Sequence, residues 1–164
     1  TLLAPQEYDL KDFIMSVDED VRGSFAESVQ NLQGLVFILD DNIELAKQQF
    51  QSVLEKTDNP MSKTISQLYL LQIALIEGDN KKAEEYASIR GVKSFLSIKT
   101  ADMQVIQAWY QFKVKKDVVQ THKAMKIARH KMNSSRMLRD EKAYYQQWLD
   151  ELEQAIQEEE TQVS

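Results

Sequence analysis

Apolar residues recur along this chain at three- and four-residue steps, interrupted by short polar clusters, and the recurrence predicts helices almost end to end. After a lead-in that holds Pro5, residues 9–15 read as a short helix with Leu10, Phe13 and Ile14 on one face. Asp18 is expected to cap a longer helix whose stripe runs through Val21, Phe25, Val29, Leu32, Leu35 or Val36, and Leu39. Asn42 is expected to cap the next, over 43–56, with Ile43, Ala46, Phe50, Val53 and Leu54 inward. The run Thr57, Asp58, Asn59, Pro60 marks its stop.

A third helix is expected from Ser62 or Lys63 to Glu77, closed by Gly78, where left-handed backbone costs little. Asn80 then caps a short helix with Ala83, Tyr86 and Ala87 inward, ending before Arg90 and Gly91. Residues 92–99 read as a turn of helix inside a connection. Thr100 caps a long helix through Ile106, Trp109 and Phe112, and Asp117 opens its partner with Val118, Thr121, Met125 and Ala128 inward. Asn133, Ser134 and Ser135 break the pattern, and a last helix runs from about Arg136 into the tail of Glu158, Glu159 and Glu160. The expectation is an all-α fold of seven to eight antiparallel helices with short connections.

Within this pattern Gly34, Phe37, Ala46 and Phe50 stand at the positions where a small residue and an aromatic mark each helix of a helix-turn-helix repeat. Leu71, Ala74, Ala83 and Ala87 repeat the spacing, as do Trp109, Phe112, Thr121 and Met125, with Ala128 at a further small position. Over residues 27–131 the chain resembles the tetratricopeptide repeat. The intervals from Ala46 to Ala83 and from Ala83 to Thr121 are longer than the family's period of about 34 residues, and Pro60 is displaced by two from the family's helix-ending proline. The resemblance implies a right-handed superhelical stack of helical hairpins. It divides the chain into a lead-in with a short helix (1–17), about three helix pairs (18–133) and a capping helix with an acidic tail (134–164).

The resemblance also implies a concave groove lined by the first helix of each pair. By alignment that groove holds Asn31, Leu35 and Ile38, then Leu68, Gln72 and Leu75, then Ile106, Tyr110 and Lys113. Largely apolar with a few polar readers, it suits a peptide or an amphipathic helix. The Lys and Asn set with which some chaperone-binding members clamp a carboxylate terminus is not among these residues.

Composition narrows the chemistry. Four Gly, two Pro and no Cys in 164 residues favour helix and exclude disulfides and thiolate sites. His122 and His130, the two histidines, are eight residues apart on one predicted helix, roughly 12 Å along its axis, too far to share a metal unaided. Asp40 with Asp41, and Glu84 with Glu85, are adjacent carboxylates that point to different sides of a helix. Asp79 and Asn80 after Gly78 begin like a calcium loop, which Lys81 and Lys82 discontinue. No glycine-rich phosphate loop or nucleophile elbow is present, so neither catalysis nor a cofactor is expected.

The formal net charge is −6, unevenly spread. Residues 113–142 carry ten of the 20 lysines and arginines, including Lys116, Lys123, Lys126 and Arg129, while 143–164 carry six acidic residues and no basic one. The basic face fits a solvated counterweight to the acidic ends, an acidic partner or second copy and, least well at a sequence pI near 5, nucleic acid. Tyr144, Tyr145, Trp148, Leu149, Leu152 and Ile156 form a stripe expected to cap the end of the repeats or to dock a partner.

The functional expectation is a non-catalytic module holding a partner peptide or helix in its groove. The alternative is an oligomerising or sensory helical domain of a larger assembly or regulator that meets an acidic partner through the basic face. The longest apolar run, 68–76, is too short to span a membrane. A cytoplasmic location is expected, with periplasm or another soluble compartment also compatible. A start at Thr1 favours a piece of a longer protein over a processed terminus.

Overall fold

The computed structural model describes residues 9–15, 25–134 and 137–163. Among these the chain is all-α: α1 (Leu10–Met15), α2 (Ala26–Leu39), α3 (Ile43–Lys56), α4 (Pro60–Glu77), α5 (Asn80–Ala87), α6 (Arg90–Leu96), α7 (Ala101–Tyr110), a π-helical turn (Gln111–Lys115), α8 (Val118–Ser134) and α9 (Arg139–Val163). Helix α2 packs on α3, α3 on α4, α4 on α5, and α7 on α8. Helix α4 also touches α2 on one side and α7 on the other, so α2, α4 and α7 lie in series.

Gly34, Ala46 and Phe50 explain the first packing contact. Gly34 faces Phe50 so closely that a Cβ at position 34 would stand 2.5 Å from the ring. Ala46, Phe50 and Val53 are fully buried beneath α2, and Phe50 stacks on Tyr69 of α4 with ring centroids 5.3 Å apart. One helix thus sits close because its partner has no side chain there, and the aromatic fills the gap and reaches the next helix.

Several element boundaries differ from expectation, each for a local reason. Helix α2 starts at Ala26, and Phe25, expected on the buried stripe, is 61% exposed at the N-cap; Asp18 and Val21 lie outside the described residues. Pro60 opens α4 instead of following its predecessor, because a missing N–H is harmless at the first helical position. Asn59 caps that helix, its Oδ1 accepting from the Met61 and Ser62 amides at 2.8 and 3.2 Å. Gly78 ends it with φ of 75°. Asp79 caps α5 by accepting from Lys82 N–H at 3.1 Å, while Asn80 is the first helical residue and uses its side chain on the Lys113 carbonyl.

Arg90 and Gly91 begin α6 where a break was expected. Gly91 is needed for packing, since a Cβ there would meet the Thr64 hydroxyl oxygen at 2.7 Å. Asn42 and Thr100 occupy N-cap positions without a side-chain cap bond. Val118, expected inward, is 50% exposed in the first turn of α8, whereas Thr121, Met125 and Ala128 are buried as expected.

Helix α9 joins the parts. Its first turn holds α1, with Asp140 Oδ1 accepting from the Leu10 amide at 2.8 Å and Arg139 Nε donating to Asp9 at 3.0 Å. Further along it touches α2, α7 and α8. Tyr145, Trp148, Leu149, Leu152 and Ile156 are buried, and Tyr144 packs against both of the chain's apolar clusters. One cluster centres on α2, α3 and α1, and the other on α7, α8 and α9, with α4 contributing to both.

Candidate interaction groove

The Tyr145 hydroxyl of α9 donates to Gln72 Oε1 of α4 at 3.0 Å, and the Trp109 indole N–H donates to the Trp148 carbonyl at 3.0 Å. Trp109 and Trp148 stack at 5.3 Å with planes 17° apart. These contacts lay the aromatic stripe of α9 over the face that α2, α4 and α7 present. On either side of the crossing the face opens into a cleft, one of about 420 Å³ and the other of about 600 Å³.

The smaller cleft uses the N-terminal parts of the three helices: Ser28, Asn31 and Leu32 of α2, Ile65, Leu68 and Tyr69 of α4, and Asp102 and Met103 of α7. Phe95, Ile98 and Thr100 close its side. The larger cleft uses their C-terminal parts, from Leu39 and Asp41 through Leu75 to Trp109 and Lys113, together with Tyr144, Gln147, Trp148 and Glu151 of α9. Because the same ends of all three helices meet in each cleft, α2, α4 and α7 run in one direction.

The residues expected to line the groove fall into distinct roles. Leu35 and Ile106 are core, with no surface to offer a partner. Gln72 is wholly buried under Tyr145, and its Nε2 has no hydrogen-bond partner among the described residues. Tyr110 is buried, with the Lys115 ammonium 5.9 Å from its ring centroid. Asn31 and Leu68, although mostly covered, line the smaller cleft, and Asn31 is locked there by Ser66 donating to its Oδ1 at 2.7 Å and by its own Nδ2 donating to the Ser62 carbonyl at 3.2 Å. Lys113 lines the larger cleft, its ammonium about 6 Å from both the Trp109 and Phe112 rings.

A continuous open groove was expected; the structure divides the face in two with α9, because a stripe of six apolar residues on the same chain finds its lowest exposure there. The basic face is likewise divided. Arg129 pairs with Asp150 at 3.4 Å and Glu153 at 2.6 Å on α9, whereas Lys116, Lys123 and Lys126 are exposed and make no ion pair among the described residues. Lys116 takes a left-handed conformation, φ of 57°, where the π-helical turn ends.

The electrostatics around Asp102 and the first turns of α9 were not anticipated. Burial foremost, then the charges of Asp102 and Asp140, push the Glu141 carboxyl up to about 7. Tyr69 and Tyr145 are raised above the usual phenol range, first by burial and then by neighbouring negative charge, that of Asp102 and Glu141 included. Tyr144 is pushed up to about 12, by burial foremost. Asp102 stands in the first turn of a helix, where a carboxylate is common, so its type alone carries no signal of a site. The juxtaposition of Tyr69, Asp102 and Glu141 depends on α9 returning to the start of α7, which no local pattern announces.

Among the described residues there is no cluster of three or more histidine or acidic side chains able to hold a metal, and no helix long and apolar enough to cross a membrane. Comparison with protein-family models, with characterised proteins and with solved structures returns no match to this chain.

Proposed function

We propose that the chain is a non-catalytic protein-interaction module of tetratricopeptide-like design, working in a soluble compartment such as the cytoplasm and holding a partner peptide or helix on the face of α2, α4 and α7. The observation that carries this reading is that the face already holds one amphipathic helix, α9, through two hydrogen bonds and an aromatic stack. A surface that accepts an apolar stripe from its own chain has the chemistry to accept one from another. Of the two clefts, the smaller has no α9 residue in its wall and is the part offered to a partner; it keeps the aligned positions Asn31 and Leu68 at its wall.

A second reading, charge-driven association with an acidic protein or another copy, is favoured by Lys116, Lys123 and Lys126, whose ammonium groups are unpaired among the described residues. Pull-downs from lysate of the source organism at low and high salt separate the two. Groove binding survives salt and is lost in Ile98→Glu, which places a carboxylate at a 42%-exposed position of the cleft. Release by salt and by Lys123→Glu with Lys126→Glu, while Ile98→Glu still binds, overturns the groove reading in favour of the charged face.

A further inference from the structure

We propose that the smaller cleft selects a partner segment whose apolar residues flank a single cationic side chain, lysine or arginine, with the cation seated against Asp102. This rests on the interaction reading above and names the chemistry of the partner.

The argument starts from what lines the cleft. Leu32, Ile65, Leu68, Phe95, Ile98 and Met103 make an apolar chamber, and the one formally charged side chain in its wall is Asp102. That carboxylate accepts from the adjacent Met103 amide at 2.9 Å, which leaves most of its acceptor capacity unused. The Asp102 charge is felt at Glu141 of α9, whose carboxyl is held up to about 7 first by its own burial, so the fixed charge of the cleft wall is that of Asp102. Neither carboxylate takes part in an ion pair among the described residues. Lys99 and Lys142, the nearest cations in sequence, pair with neither.

Elsewhere this chain does pair its partly covered charges. Lys47 lies 3.0 Å from Glu77, and Arg129 grips two carboxylates of α9. A carboxylate beside an apolar chamber, without a counter-ion among the described residues, is costly in isolation and becomes favourable when a cation arrives with apolar groups that displace water around it. The charge of the occupant is therefore set by the wall, and its apolar flanks by the chamber. A purely apolar segment would leave the Asp102 carboxylate desolvated, and an acidic one would add a second negative charge.

Binding of fluorescent decapeptides tests this, using apolar sequences identical except for a central Arg, Lys, Gln or Glu. The full chain is expected to bind the Arg and Lys peptides about tenfold more tightly than the Gln peptide, a difference of about 1.4 kcal/mol, and the Glu peptide most weakly. Asp102→Asn, which keeps the side chain's shape and its acceptor for Met103, is expected to abolish the preference while retaining Gln-peptide binding. Glu141→Gln provides a second variant should Asp102→Asn unfold, and is expected to narrow the preference. Equal binding of Arg, Gln and Glu peptides, all lost in Ile98→Glu, overturns the charge selection and leaves the interaction reading standing. A cationic preference that persists in both Asp102→Asn and Glu141→Gln also overturns it. No Ile98-dependent binding of any peptide overturns both.

Discussion

The two ends of the α2–α4–α7 face are built by the same three helices and finished in opposite ways. At the C-terminal ends α9 walls the larger cleft, with Trp109 stacked on Trp148 and Lys113 against the aromatic rings. At the N-terminal ends, Asn31, Leu68 and Ile98 border an apolar chamber that has no α9 residue in its wall and whose carboxylate has no counter-ion among the described residues. The difference teaches that α9 lays its apolar stripe on one end of the face and leaves the apolar side chains of the other end without a helix across them.

The sharpest way to break the comparison is Trp148→Ala at the end walled by α9. Removing a buried indole that stacks on another costs about 3–5 kcal/mol, and for a chain of this size it lowers the thermal midpoint by roughly 10 °C or more. Calorimetry or thermal circular dichroism reads this. Unchanged melting with lost partner binding would move Trp148 from the core to the docking surface.

A smaller effect with a distinctive pH signature is expected at the open end. The folded carboxyl of Glu141 is raised to about 7, above its unfolded value near 4.5. Folding therefore favours the protonated form, and its contribution is fully present below the unfolded value and lost as pH rises through the folded one. Glu141→Gln removes this slope. With allowance for partial exposure, the variant is expected to gain about 1–2 kcal/mol over the parent at pH 8 relative to pH 4.5. Denaturant melts at both pH values check it, and equal gains at the two would remove Glu141 from the buried set.

The smallest effect belongs to the rim. Ile98→Ser is expected to change stability by no more than about 0.5 kcal/mol, while weakening partner binding. A loss comparable to that of Trp148→Ala would show that the open end is structural after all.

Much of the helical layout was legible in the sequence because apolar spacing reports a helix wherever one face is buried. Gly34 and Phe50 were legible even as a contact, since a missing side chain and a large ring at repeat spacing describe complementary shapes. Where polar residues decide boundaries, the reading slipped: Pro60 looked like a stop and serves as a start, and Arg90 with Gly91 looked like a break and opens a helix. The site was less legible. Leu35 and Ile106 follow the same spacing whether they face a groove or the core, and spacing cannot say which surface a distant helix will cover. The apolar stripe of α9 was visible, but its crossing point at Gln72 is fixed by tertiary packing.

That crossing has a consequence in time. Tyr145 follows Gln72 by 73 residues and Trp148 follows Trp109 by 39. At synthesis rates of about 5–20 residues per second, the residues of α2, α4 and α7 are made roughly 2–8 s before Trp148. The helix that ties both apolar clusters together is thus the last described element to be made, and packing of the face cannot finish until synthesis is nearly over.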